Sequence, residues 1–385
     1  MHQTVRALFG AALLAIPCSM TAVAADKVNV GAVGNSGDVG FYVAQAKGYF
    51  AAEGLDVTFN VFDSAAKMIA PLGTGELDVG SGAASAGLYN AATRKIEIRA
   101  VADRGRTAPG YMYQTLMIRK DLLDSGRVKD YPDLKGLKFA VAAPGVTALS
   151  VTNEALKRGG HKFSDAEVVA LGFPQQVGAF ASKAVDASMM VEPFATKLVN
   201  DGIAVRWKST EDFYPNDQIS MIFYGEKFAR ERPDIAKRFM KAYVRGARDY
   251  NDALENGQWK KDAKADEVIS ILSKNLGMKP ELLREIYPHA CNPDGKLDLD
   301  SMRKDLAFFQ DQGLVTDKNQ KIESIIDMSF VEGAVKERGP YKKCGEPALS
   351  RQSGRGPCAP VIASGAKQSR PEFSTVASQP APARA

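Results

Sequence analysis

The chain has 385 residues, of which 45% are hydrophobic, 25% charged and 8% aromatic. This is the composition of an ordinary globular protein and excludes a mainly disordered or collagen-like chain; at roughly 150 residues per domain the length suggests two domains. The formal charge of +5 sits at the ends: Arg6 supplies one positive charge and the segment from Glu346 onward three, leaving +1 for the body. A near-neutral body argues against a nucleic-acid partner.

The N-terminus has an export layout. Arg6 precedes an apolar run from Ala7 to Ile16, and Ala22-Val23-Ala24 offers small residues for cleavage. The run is too short to span a bilayer and has no polar face, so residues 1–24 read as a signal peptide and the mature chain as periplasmic. Cys18 suggests lipoprotein processing, but Pro17 stands where that chemistry wants a small flexible residue.

From Lys27 to about Trp207 short apolar strands alternate with helical stretches. Val28, Val30 and Ala32 mark the first strand; a helix over Phe41 to Glu53 follows, with Gly54 closing it. Leu55 to Val61 is apolar at every second position. Further strands are expected at Asp78-Val79-Gly80, Ile98 to Ala102, Phe139 to Ala142, Val168 to Leu171, Ala187 to Met190 and Ala204 to Trp207. Strands spaced by helices imply parallel βαβ units. Gly75-Glu76-Leu77-Asp78-Val79-Gly80 is echoed by Lys183-Ala184-Val185-Asp186-Ala187-Ser188, as two similar lobes would produce.

Gln114-Thr115-Leu116-Met117-Ile118 and Gln218-Ile219-Ser220-Met221-Ile222 are extended apolar segments that flank the second βαβ set. They read either as two strands crossing between lobes or as edge strands. From Glu226 onward the pattern is helical: Ile235, Phe239, Tyr243, Gly246 and Tyr250 recur at helical spacing, and Pro233, Pro280 and Pro288 punctuate the helices. This third is expected to pack on the first lobe. From Glu346 six of the nineteen prolines occur without periodicity; residues 346–385 read as a disordered tail.

No catalytic residue, metal or cofactor is expected. His161 and His289 have no Cys or carboxylate at ligand spacing, and there is neither Gly-x-Ser-x-Gly nor a phosphate loop. The glycines at 31, 34, 37 and 40 lack dinucleotide-loop spacing. Small polar residues do cluster where strands give way to helices: Asn35-Ser36-Gly37-Asp38, Ser81-Gly82-Ala83-Ala84-Ser85, and Ala143-Pro144-Gly145-Val146-Thr147. In open α/β sheets ligands settle at such ends, and helix N-termini there suit anions. The same residues also serve as ordinary caps and turns.

Phe41-Tyr42-Val43-Ala44-Gln45-Ala46-Lys47-Gly48-Tyr49-Phe50 with Glu53-Gly54-Leu55-Asp56-Val57 resembles the opening of a family of ABC-transporter solute-binding proteins. The branch holds nitrate-, taurine-, aliphatic-sulfonate- and thiamine-pyrimidine-precursor-binding members. Leu72-x-x-Gly75-x-x-Asp78-Val79-Gly80 follows in the family's order, as do Asp133 to Val141, Val185-Asp186-Ala187, Val191-Glu192-Pro193-Phe194 and Arg232-Pro233-Asp234.

The resemblance implies an α/β, two-lobed, type II Venus-flytrap fold with a helical C-terminal third. Lobe 1 would be residues 27–114 plus 222–341 and lobe 2 residues 115–221. The implied function is capture of a small organic anion, a sulfonate among them, by a monomer that then docks on a membrane permease. The alternatives are a sensory ligand-binding protein and a binder of a pyrimidine-like or aromatic solute. An enzyme acting on a pyrimidine-like substrate would need a reactive His or Cys cluster, which the sequence lacks.

The implied pocket takes Asn35, Ser36 and Gly37, then Ser81, Gly82 and Ala83, then Gly145, Val146 and Thr147. Arg104, Arg106, Phe173 and Glu192 join them. Either arginine could pair with an anion or be a solvated surface charge; Phe41, Tyr89, Tyr111 and Phe173 could line a pocket for a ring or be core. In an exported protein Cys291 and Cys344 are a candidate disulfide, which needs Cα atoms within roughly 6 Å.

Overall fold

The computed structural model describes residues 24–343. Residues 1–23 and 344–385, and with them most of the expected signal, the tail, Cys344 and Cys358, lie outside the described residues.

Ten strands form two five-stranded sheets. The first holds β1 (Asp26–Ala32), β2 (Leu55–Val61), β3 (Val79–Gly82) and β4 (Ile98–Gly105). The second holds β5 (Gln114–Arg119), β6 (Lys138–Val141), β7 (Glu167–Ala170), β8 (Ala187–Val191) and β9 (Ala204–Ser209). The chain then returns to the first sheet as β10 (Ser220–Gly225). The orders are β2-β1-β3-β10-β4 and β7-β6-β8-β5-β9. Both sheets are mixed rather than wholly parallel: β10 runs antiparallel to β3 and β4, and β5 antiparallel to β8 and β9.

The two extended segments therefore belong each to one sheet, inside it rather than at an edge. The crossings are made by the chain just before them. There Thr107 N–H donates to Asp217 O at 2.9 Å, and Asp217 N–H donates to Thr107 Oγ1 at 2.7 Å.

The sequence echo has a structural cause. Asp78 and Asp186 stand before the equivalent strands β3 and β8. Asp78 Oδ2 accepts the Asn29 N–H at 2.9 Å and Oδ1 the Arg232 Nη1 at 3.0 Å. Asp186 Oδ2 accepts the Lys138 N–H at 3.0 Å and Oδ1 the Arg119 Nη1 at 3.0 Å. Each aspartate thus ties its own strand to the neighbouring one and to an arginine, Arg232 beyond the antiparallel β10 and Arg119 at the end of the antiparallel β5.

The expected helix over Phe41 to Glu53 is two helices, Val39–Ala46 and Tyr49–Ala52, because Gly48 between them adopts a left-handed φ of 69°. The long helix Pro233–Asp252 starts with proline, whose missing N–H costs nothing there. It buries Phe239 and Tyr243 against Phe41 of the helix Val39–Ala46, and Tyr250 against Trp259 and His289. Glycine is required at the crossing, since a Cβ on Gly246 would lie 2.1 Å from Gly40 O.

The C-terminal helices do not pack on the first lobe alone. On the helix Leu299–Asp311, Phe309 meets Tyr89 of the first lobe. Its Phe308 meets Phe163 of the second at 5.2 Å, and Asp305 accepts a hydrogen bond from Tyr214 OH at 2.9 Å. Among the described residues no helix is long and apolar enough to cross a membrane.

Candidate functional site

The loops at the strand ends meet across the gap between the sheets. Ser85 and Val146 form an antiparallel bridge, with Ala86 N–H donating to Gly145 O at 2.8 Å and Thr147 N–H to Ala84 O at 3.3 Å. On the other side Ser36 Oγ donates to Glu192 O at 3.1 Å. Between these contacts lies a cavity of about 60 Å³. The first lobe supplies Asn35, Ser64, Gly82, Ala83 and Arg104 to its wall, and the second Val146, Thr147, Phe173 and Met189. The crossings add Tyr113 and Ile219, and the strands they lead into add their first residues, Gln114 of β5 and Ser220 of β10.

Arg104 reaches this wall already neutralised. Its Nη2 lies 2.7 Å from Asp38 Oδ1 and 2.9 Å from Asn35 Oδ1, and its Nε lies 3.1 Å from Asp38 Oδ1. Burial works against the charge, but Asp38 outweighs it and holds the guanidinium above its ordinary pKa. Asp38 also gathers the loop after β1, with Oδ2 accepting the N–H groups of Val33 at 3.0 Å and Gly34 at 2.8 Å. Nη1 makes no hydrogen bond among the described residues.

Other expected site residues have structural roles. Ser81 Oγ bonds Asp38 Oδ1 at 2.9 Å beneath the cavity. Ser36 and Gly145 close the cleft through the bonds described, and Gly37 lies against Arg104 and Tyr113. Phe41 is core, within 6 Å of the rings of Phe59, Phe239 and Tyr243. Tyr89 is core as well. Arg106 is half-buried, pairs through its backbone with Ala290, and does not line the cavity.

Glu192 turns its carboxylate away from the cavity into the second lobe. Oε1 accepts Arg206 Nη2 at 2.6 Å and Oε2 the Thr196 N–H at 3.0 Å. Burial raises its pKa, with Arg206 and Thr196 pulling the other way. The residue belongs to the cleft through its backbone carbonyl. Phe173, by contrast, lines the cavity and stacks on Phe194 at 5.8 Å.

Sequence reasoning missed Ser64, Tyr113, Gln114 and Ser220. Ser64 was within reach, because the loop after β2 occupies the same strand-end position as the loops that were singled out. Tyr113 lies in a crossing and Ser220 opens β10 directly after one, where no βαβ pattern points. Below Tyr113 sits His289, its ring 5.2 Å away and stacked on Tyr250. Burial pushes the His289 pKa down to about 3, so the imidazole is neutral. Cys291 is buried with its thiol pKa raised by burial. Among the described residues no group of His, Cys, Asp and Glu could hold a metal ion.

Comparison with known proteins yields binding proteins and, among solved structures, also the desulfurization enzyme DSZB, which superposes with a TM-score of 0.53 at 16% identity over 81% of this chain and 99% of its own. A binding protein of Brucella abortus (strain 2308) is 28% identical over 217 residues, 55% of this chain and 62% of the relative. The chain therefore spans less than two thirds of that relative's length. The taurine-binding periplasmic protein of Escherichia coli (strain K12) is 25% identical over 54% of this chain and 62% of its own. Among solved structures, the periplasmic nitrate-binding protein NrtA from Synechocystis PCC 6803 superposes with a TM-score of 0.66 at 16% identity, over 81% of this chain and 89% of its own. The periplasmic aliphatic sulphonate binding protein SsuA from Escherichia coli gives 0.60 at 16% identity, over 80% and 99%. These superpositions bear out the two-lobed α/β fold. Residues 35–256, more than half of the chain, match the family model described as NMT1/THI5 like, and the protein belongs to that family.

Proposed function

We propose that the chain is the extracytoplasmic solute-binding component of an ABC importer. It captures a small organic anion, a sulfonate foremost, between two lobes (residues 27–114 with 222–341, and 115–221). The observation that carries this reading is the small cavity between the sheets, walled from both lobes and both crossings. Its wall bears no histidine, cysteine or carboxylate, which supports binding rather than catalysis. The free Nη1 of Arg104 and the neighbouring hydroxyls favour a ligand that presents oxygen acceptors. The taurine- and sulfonate-binding relatives support the same class. On this reading the protein is a periplasmic monomer whose closed form delivers its ligand to a permease.

The test is a thermal-shift screen of the purified protein against taurine, ethanesulfonate, nitrate, a pyrimidine and riboflavin. A ligand held only by the folded state raises the unfolding midpoint with concentration. A shift with ethanesulfonate or taurine is expected. A shift with the pyrimidine or riboflavin alone would replace the anion by a neutral ring.

A further inference from the structure

Five buried serines surround the cleft: Ser36, Ser64, Ser81, Ser85 and Ser220. Three spend their hydroxyls within the protein. Ser36 donates to Glu192 O, Ser81 bonds Asp38, and Ser85 caps its helix by accepting the Leu88 N–H at 3.3 Å. The other two do not. Ser64 Oγ and Ser220 Oγ are buried and have no hydrogen-bond partner, and both residues line the cavity.

An unpaired buried hydroxyl is costly, so each of these asks for an explanation. Ser64 precedes the 3-10 turn Ala65–Met68 in the position where a serine ordinarily caps the following N–H groups, yet it makes no cap bond. Ser220 opens β10, where its backbone is taken up by the sheet opposite Gly105 and its carbonyl by Gln218 Nε2 at 2.9 Å. Ser64 O accepts the Lys67 N–H at 3.2 Å, and in both residues the side-chain hydroxyl is left over. The remaining unpartnered buried polar atoms among the described residues, on Tyr89, Arg206, Trp259 and Gln320, belong to residues off the cavity wall.

We infer that the hydroxyls of Ser64 and Ser220 hydrogen-bond the polar end of the ligand. This rests on the solute-binding reading and sharpens it: the ligand's charged oxygens are met by neutral hydroxyls beside an arginine already neutralised by Asp38. One hydroxyl stands on the loop after β2 and the other at the start of β10, so a single oxygen-bearing head group would bridge two elements of the first sheet.

The test uses the full mature chain carrying Ser64→Ala, Ser220→Ala or, as a contrast, Ser81→Ala. Titration calorimetry with taurine and with ethanesulfonate is paired with unfolding midpoints measured without ligand. Ser64→Ala and Ser220→Ala are each expected to weaken the bound probe by about tenfold or more. Their ligand-free midpoints should stay level or rise, because an unpaired buried hydroxyl has been removed. Ser81→Ala should instead lower the ligand-free midpoint. Affinities for both variants within about twofold of wild type would overturn the inference while leaving the importer reading intact. So would a fall in their ligand-free midpoints, which would make the hydroxyls structural. If the unmodified chain binds neither probe, the anion reading fails, and a fall in those midpoints would overturn this inference as well.

Discussion

Asp38 and Arg104 form a fully buried ion pair at the floor of the cleft, 2.7 Å apart, with the arginine's far end facing the cavity. Removing one partner of a buried pair leaves a charge without compensation. Asp38→Ala is therefore expected to lower the unfolding free energy by about 3–5 kcal/mol, and it also releases the N–H groups of Val33 and Gly34. Urea denaturation checks this. Stability equal to wild type would mean that Arg104 finds another partner.

Arg106 provides the opposite case. Sequence makes it as good an anion partner as Arg104, but its side chain is off the cavity wall. Arg106→Ala is expected to leave affinity for ethanesulfonate or taurine within about twofold of wild type, since exposed or half-exposed charges contribute little. A larger loss, read by calorimetry, would return Arg106 to the site.

Closure depends on Gly145. Its φ of 69° favours glycine, and a Cβ there would lie 3.3 Å from the Ala86 Cβ across the cleft. Gly145→Val should disturb the bond from Ala86 N–H to Gly145 O and favour an open form. The expected readout is a larger radius of gyration with saturating ligand by small-angle scattering, together with a weaker affinity. An unchanged closed radius would show that the bridge at Ser85 and Val146 is dispensable.

Asp305 makes stability depend on pH. Burial pushes its pKa up to about 7, well above the ordinary carboxylate range. Because the folded state holds this proton more tightly than the unfolded chain, its contribution is full below about pH 4 and is lost as pH rises to about 7. Asp217 is raised by burial and by Asp305, and Asp103 is raised to about 6 by burial, so both act in the same direction. His289, lowered to about 3, acts in the opposite one below pH 6.5. Asp305→Asn removes one contribution only. Its unfolding free energy should gain on wild type as pH rises from 4 to 8, and parallel profiles for the two proteins would refute the assignment.

Much of the architecture was legible because strand burial writes itself into alternation. Leu55 and Val57 are buried while Asp56 and Thr58 are exposed, and that period locates β2 without tertiary knowledge. The echo around Asp78 and Asp186 was legible too, since the same carboxylate does the same work in both sheets. What stayed hidden depended on direction or distance. Periodicity does not tell that β5 and β10 run against their neighbours. Nor does it tell that Glu192 points inward to Arg206, or that Arg104 meets a carboxylate 66 residues away. Loops named for their small polar residues were indeed at the cleft, but composition cannot separate Ser81, which is spent on Asp38, from Ser64, which is spent on nothing.

The paired bonds between Thr107 and Asp217 join the two crossings side by side. Two parallel tethers pinned to each other behave as a door hung on a single pin: twisting and sliding of one lobe past the other are suppressed, and swinging remains. On the solute-binding reading proposed above, a ligand that closes such a door has less orientational freedom left to remove, since part of that entropy was surrendered when the chain folded. The price of recognition is then set mainly by what lines the cavity, and weak contacts suffice to hold it shut.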